Sequence, residues 1–206
     1  MKLVVFGATG KTGQEIVKQS LSQGYKVTAF VRDPSKMTLE HGDLKIIKGD
    51  IYEFTAVKQA VRGQDAVICS LGTSDLGKTT VRSEGTANII RAMKENHVNR
   101  IVVVTAMGVA ESWSTLSFVN KLFFVTLLRN TRQDHENQEV LVKDSDLDWT
   151  IIRPSGLTDT PRTEGYAIGE NVHANTSRIA RADVAHAIVK EVHDNAYVHK
   201  SVTITN

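Results

Sequence analysis

The residues best placed to do chemistry lie close to the N-terminus. Gly7-Ala8-Thr9-Gly10-Lys11-Thr12-Gly13 spaces its glycines as GxxGxxG, directly after a short apolar run and directly before a segment of helical period. Glycine at such positions permits a tight turn, close approach of backbone to a pyrophosphate, and close packing of helix on strand. The start of the following helix would then offer free N–H groups and the positive end of its dipole to phosphate oxygens. A strand before and an amphipathic helix after are what separate a dinucleotide-binding turn from glycines that merely bend the chain. Gly7, Thr9, Gly10, Lys11, Thr12 and Gly13 are therefore the candidate phosphate-holding residues.

Choice between nicotinamide dinucleotides is normally made at the end of the second strand, about 20 residues beyond the glycines. A carboxylate there holds a ribose 2′-hydroxyl. Here the stretch reads Phe30-Val31-Arg32-Asp33-Pro34-Ser35-Lys36. The Arg32 guanidinium could pair bidentately with a 2′-phosphate and stack on adenine, with Lys36 as a second cation. This favours NADP(H). Asp33 opposes it, since an inward carboxylate would suit NAD and repel a phosphate. Asp50 and Ile51, after the third strand, would flank the adenine, and Leu71, Gly72 and Thr73, after the fourth, would line the middle of the cofactor.

These positions need a scaffold, and the chain supplies one. Short β-branched runs predict strands at Leu3–Phe6, Lys26–Val31, Lys45–Lys48, Ala66–Ser70, Ile101–Thr105, Thr150–Ile152 and Ser201–Ile204. Several are continuously apolar, as strands covered on both faces are. Between them, helical spacing predicts helices over Gly13–Gln23, Thr80–Asn96, Arg129–Asp144 and Asp183–Val192. The third of these is mostly polar and reads as a surface helix with Val140 and Leu141 turned inward. Leu157 to Ser177 has no clear period and reads as a hairpin or an irregular flap. The alternation predicts an α/β fold, a single-domain Rossmann-type doubly wound parallel sheet with helices on both faces. One NAD(P)-binding domain would span 1–206, with an acceptor-pocket region at about 106–180.

Composition narrows the function classes. Among 206 residues, 41% are hydrophobic and 23% charged, with a formal net charge of +2, too small to imply a nucleic-acid partner. Cys69 is the only cysteine, which excludes an intramolecular disulfide and suits a reducing compartment. The apolar-leaning stretch Leu116 to Leu128 contains Asn120 and Lys121 and is too short to span a bilayer. The N-terminus does not resemble a signal peptide. A cytoplasmic protein with no membrane contact is expected. The histidines show no metal-ligand spacing, so no metal site is predicted.

Several segments together resemble the biliverdin-IXβ reductase/flavin reductase family, within the wider NmrA-like, atypical short-chain dehydrogenase group. They are Phe6–Gly13, Gly24–Thr28, Val31–Asp33, Gly63–Ile68, Leu71–Thr73, Ser83–Ile90 and Asp134-His135, and the likeness runs nearly end to end. The GATGxxG form of the glycine turn is itself common among these relatives. The resemblance implies a protein that binds NADPH and passes a hydride to a flat conjugated acceptor, a flavin or a linear tetrapyrrole. Two positions depart from the family: Ala106 follows Thr105 where serine is common, and the turn after the sixth strand reads Arg153-Pro154-Ser155-Gly156 rather than carrying histidine. Arg-Pro-Ser is common among atypical members, where it lies near the nicotinamide.

A standard short-chain dehydrogenase would also carry Tyr-x-x-x-Lys on the helix after the fifth strand. None of Tyr25, Tyr52, Tyr166 and Tyr197 has lysine four residues later, so the usual tyrosinate acid/base is absent. His135 is the one candidate proton donor in that region, against the reading of a solvated histidine on a charged face. A flavin can take its second proton from water, so a dedicated acid is dispensable. Thr105 and Pro154 would border the nicotinamide, and Ser74, Ala106, Met107, Trp113, Phe118 and Ser155 would form the acceptor pocket. Phe118 to Leu128 would close over the acceptor or pack as a core helix. The leading expectation is an NADPH-dependent reductase of planar acceptors, with a flavin, a biliverdin-like tetrapyrrole or a quinone as acceptor. The alternative is a non-catalytic NADP(H)-binding redox sensor that regulates a partner.

Overall fold

Valine and isoleucine crowd the strand segments because a β-branched side chain fits the pleated, doubly covered surface of a parallel sheet. The computed structural model describes residues 1–73, 77, 79–109, 129–170, 172 and 178–206. Its main strands are β1 (Lys2–Phe6), β2 (Lys26–Val31), β3 (Leu44–Lys48), β4 (Ala66–Cys69), β5 (Arg100–Val104) and β6 (Asp148–Pro154). Three short strands follow, β7 (Gly156–Thr158), β8 (Ala167–Gly169) and β9 (Arg178–Ala180), then β10 (Lys200–Thr205). The helices are α1 (Lys11–Ser22), α2 (Phe54–Val61), α3 (Ser83–Asn96), α4 (Arg129–Lys143) and α5 (Arg181–Asp194), with a 3₁₀ turn at Pro34–Lys36.

The sheet runs β3-β2-β1-β4-β5-β6-β10-β8, parallel except for β8, which pairs antiparallel with β10. The order reverses between β1 and β4, the switch point where ligands of doubly wound sheets bind, outside the carboxyl ends of the strands. Alternation along β1 shows how both faces are filled. Leu3 and Val5 pack with Ile16, Val17 and Leu21 of α1 and Val184 and Ile188 of α5. Val4 and Phe6 pack with Val57 and Val61 of α2, Ile89 and Met93 of α3, and Val142 of α4. Each such side chain, fully buried, contributes roughly 1.5–3 kcal/mol. The Rossmann-type architecture predicted from the alternating runs is the one observed.

Three local expectations fail. Helix α2 is absent from the predicted set because its eight residues are too few for a period to stand out. Of the two readings of the Leu157–Ser177 stretch, the hairpin is not found among the described residues: β7 pairs in parallel with β9 and β8 joins the main sheet. Asp183 of α5 holds this region, accepting hydrogen bonds from the Thr163 and Glu164 backbone N–H groups and from the Thr163 hydroxyl.

The third failure concerns α4. Val140 is 58% exposed and Leu141 37%, so neither is turned inward. Its buried stripe is instead Asp134, His135, Gln138, Glu139 and Val142, spaced as one helix face. Polar side chains can occupy a buried face when each finds a partner. Here Asp134 caps α3, Gln138 donates to Thr86 Oγ1 at 2.9 Å, and Glu139 meets Arg153 and Thr105.

Candidate functional site

The carboxyl ends of β2, β1, β4 and β5 open into one cleft of about 680 Å³, within the range of small-molecule sites. Across it the sheet order places β2, β1, β4 and β5 side by side, three spacings of about 4.8 Å and so about 14 Å from the Arg32 end to the Thr105 end.

The glycine turn forms its middle. Gly7 has φ +80°, and a Cβ there would lie 2.2 Å from the Ser70 carbonyl oxygen, so the crossing of β1 over the end of β4 requires glycine. A Cβ on Gly13 would meet the Gly7 carbonyl oxygen at 2.1 Å, which explains the third glycine as close packing of α1 on the turn. Gly10 is the N-cap of α1 and brings no capping side chain, and the first turn holds no acidic residue. The first N–H groups of a helix have no intrahelical partner, and their dipole end attracts anions. An uncapped helix start facing a cleft lined by Thr9, Lys11 and Thr12 fits a pyrophosphate.

At the β2 end, Arg32 and Lys36 line the cleft, both exposed and neither with a side-chain partner among the described residues. Asp33 is not turned inward. Its Oδ1 accepts from the Ser35 N–H at 3.1 Å and the Ser35 hydroxyl at 2.7 Å, capping the 3₁₀ turn. The Ser35 hydroxyl, then its N–H, hold the Asp33 carboxyl below its usual range. Ile51 lines the cleft, whereas Asp50 faces its own turn, accepting from the Tyr52 N–H at 3.0 Å. Leu71, Gly72 and Thr73 line the centre as placed from sequence. Leu157 on β7 and Arg181 at the start of α5 also reach the cleft, unforeseen from the sequence. Asp159 ties this side together by pairing with both Lys11, at 2.5 Å, and Arg181. The cleft therefore presents cations at its β2 end and beside the glycine turn, those beside the turn sharing the Asp159 carboxylate.

The far end holds Thr105, Ala106, His135 and Arg82. Thr105 is fixed from below: its hydroxyl donates to Glu139 Oε1 at 2.9 Å, and Arg153 grips both oxygens of that carboxylate at 2.9 and 2.5 Å. Arg153 thus acts beneath the cleft and does not line it. Pro154 and Met107 do not line it either; they are joined by the Met107 N–H donating to the Pro154 carbonyl oxygen at 2.9 Å. Ser155 is buried, its N–H bonded to the Ile204 carbonyl oxygen, and it does not line this cleft. Ser74, Trp113 and Phe118 lie outside the described residues, as does the Phe118–Leu128 segment.

His135 is buried, not solvated as the charged sequence around it suggested. Burial first, and then the neighbouring Arg82 cation, push its pKa from the ordinary 6.5 down to about 3, with Asp134 and Gln138 opposing. It is therefore a neutral imidazole at physiological pH, which excludes an imidazolium acid and leaves one weakly acidic N–H. Arg82 is a residue sequence reasoning missed. As the N-cap of α3 it carried no visible pattern, because the group that caps that helix is Asp134 from α4, 52 residues away. Asp134 accepts from the Arg82 and Ser83 N–H groups, the Ser83 hydroxyl and Arg82 Nη1.

Comparison with known proteins gives the family and the fold. A family described as NAD(P)H-binding matches residues 7–195. YwnB, an uncharacterized protein of Bacillus subtilis, is 29% identical over all of this chain and 99% of its own length. An uncharacterized chloroplastic protein of Arabidopsis thaliana is 31% identical over 92% of this chain and 71% of its own. Among solved structures, a short-chain dehydrogenase/reductase of Veillonella parvula in complex with NADP superposes with TM-score 0.86 at 18% identity, covering 100% of this chain and 94% of that one. ChuY, an anaerobilin reductase of Escherichia coli O157:H7, gives 0.83 at 24% identity, covering 100% and 97%. At those identities the structures speak for the fold alone. No helix among the described residues is long and apolar enough to cross a membrane. With the glycine turn, the uncapped helix start and a family match over most of its length, this chain belongs to the NAD(P)H-binding family.

Proposed function

We propose that this protein is an NADPH-dependent reductase that delivers a hydride to a planar conjugated acceptor, a flavin, a quinone or a linear tetrapyrrole. The observation that carries the cofactor half is the β2 end of the cleft. Arg32 and Lys36 stand there without side-chain partners among the described residues, while Asp33 is committed to Ser35. A guanidinium and an ammonium, with the neighbouring carboxylate hydrogen-bonded to Ser35, suit a 2′-phosphate better than a bare hydroxyl. The acceptor half is supported by what the far end offers. His135 is neutral, and no Tyr-x-x-x-Lys exists, so the site suits acceptors that draw their proton from water.

Bound there, the cofactor would supply the hydride. The protein's own residues would do the rest: the α1 start, Lys11 and Arg181 hold phosphates, Ile51 and Leu71 pack the bases and sugars, and the Thr105–Glu139–Arg153 clasp fixes the β5 end. ChuY, named a reductase of anaerobilin, shares this fold and lends the tetrapyrrole possibility its support. We place the protein in the cytoplasm, in keeping with a lone buried thiol at Cys69. The test is steady-state NADPH oxidation with FMN, riboflavin, a quinone and biliverdin in parallel, and NADH as control. NADPH-selective turnover of any of them supports the proposal. Tight NADPH binding without turnover of any would replace it with the redox-sensor reading.

A further inference from the structure

Matching the cations that line the cleft to the phosphates of a dinucleotide leaves one of them, itself paired with Asp134, without a phosphate to hold. A phosphorylated nicotinamide dinucleotide is anionic at its 2′-phosphate and its pyrophosphate. Arg32 and Lys36 answer the first; the α1 start, Lys11 and Arg181 answer the second. Arg82 lines the same cleft with Thr105, Ala106 and His135, at the end where such a dinucleotide presents an uncharged nicotinamide.

Arg82 is also an unusual residue to bury. It is 6% exposed, and its guanidinium carries five N–H donors in a rigid fork. Among the described residues, the one side-chain nitrogen of Arg82 with a hydrogen-bond partner is Nη1, which meets Asp134 Oδ2 at a long 3.4 Å. Nε is buried with no hydrogen-bond partner among the described residues. The same is true of Nδ1 of His135, which is 7% exposed. Two adjoining buried polar groups thus share one floor with unmet hydrogen-bonding capacity, which is costly unless a ligand completes it. Asp134 does not fill that role, being already occupied by three donors of the α3 start.

We propose that Arg82, with His135 beside it, is the acceptor-oxygen site: it takes a carbonyl oxygen of the acceptor that becomes an oxyanion during reduction, or an acceptor oxygen that is already ionised. This rests on the reductase reading and names what that site recognises. As the hydride bonds to one end of a conjugated carbonyl acceptor, the displaced electron pair moves through the π system onto the carbonyl oxygen. The acceptor is reduced by two electrons, the nicotinamide cofactor is oxidised, and the oxygen afterwards takes a proton from water. A fixed cation aimed at that oxygen stabilises the developing charge without donating a proton. The site therefore needs no acid, which accounts for a cleft whose one histidine is neutral. Preferred acceptors are quinone-like or imide-bearing rings, whose oxygen lies in the ring plane where a guanidinium fork can reach it.

The test measures binding, so it does not depend on turnover. The protein loaded with 1,4,5,6-tetrahydro-NADP, an unreactive cofactor analogue whose nicotinamide ring is uncharged and whose phosphates occupy the phosphate-binding cations, is titrated calorimetrically with lawsone, a hydroxynaphthoquinone ionised at neutral pH, and with naphthoquinone, its neutral parent. The wild type should bind the anion about ten- to a hundred-fold more tightly, the range of one charged hydrogen-bonded contact. Arg82→Met should abolish that preference while NADP⁺ affinity holds. Arg82→Met combined with Asp134→Asn repeats the test without a lone buried carboxylate, should the single variant fail to fold. No anion preference in the wild type, or a preference that survives loss of Arg82, overturns the proposal. Absence of NADPH oxidation with every acceptor would instead refute the reductase reading, a separate result from these titrations.

Discussion

Mild acid should destabilise this protein through His135. The imidazole is buried on α4, and its pKa falls from 6.5 to about 3 in the folded chain, chiefly through burial and then through the Arg82 cation. Above the unfolded pKa both states carry a neutral ring and stability is undiminished. As pH falls below it, the unfolded chain binds a proton that the folded chain refuses, so stability is lost steadily until the folded pKa is reached. From RT ln(1 + 10^(6.5 − pH)), the loss between pH 7.5 and pH 5 is about 2 kcal/mol. Urea unfolding of wild type and His135→Gln at both pH values isolates this contribution, since acid effects at other groups cancel in the double difference. The wild type should lose about 2 kcal/mol more than the variant on acidification. Equal losses would mean that His135 is not held neutral by its surroundings, and would remove the ground for excluding it as an acid.

Other substitutions probe the remaining parts. Arg32→Ala should weaken NADPH binding by about 1.5–3 kcal/mol and leave NADH nearly unchanged in fluorescence titrations; equal losses would show that Arg32 does not read the 2′-phosphate. Arg153→Met leaves the Glu139 carboxylate buried with, among the described residues, the Thr105 hydroxyl and a distant Lys143, and should cost about 3–5 kcal/mol in denaturant unfolding. Val140→Lys, at an exposed position, should change stability by less than about 0.5 kcal/mol, whereas a large loss would place Val140 in the core that the sequence pattern suggested.

What could be read from the sequence was whatever local chemistry dictates. Continuous apolar runs announce strands covered on both faces, and Gly7 and Gly13 are demanded by backbone approaches within the turn itself. The doubly wound parallel architecture and the glycine turn followed from those signals. Helix α4 was misread because periodicity of apolar residues was the guide, while its inner face is built from Asp134, Gln138 and Glu139. Such a face becomes intelligible only when its partners, Ser83, Thr86 and Arg153, are brought alongside by the sheet. Arg82 escaped notice for the same reason: a buried arginine and a surface arginine look alike in a sequence until tertiary structure places one against a carboxylate. The glycine-lined end of the cleft could be placed because a turn and a helix start form it locally. The far end could not, because it is assembled from residues at the ends of β4, β5, α3 and α4.

The most direct test of the reductase account is a single turnover. The protein, in excess over NADPH, is mixed rapidly with FMN or a quinone, and the reduced-nicotinamide absorbance is followed in time. The account predicts a decay whose rate rises with acceptor concentration to a plateau, slows when the transferred hydrogen is deuterium, and is lost with NADH at the same low concentration. An absorbance that stays constant for every flat acceptor, with NADPH demonstrably bound, would contradict it.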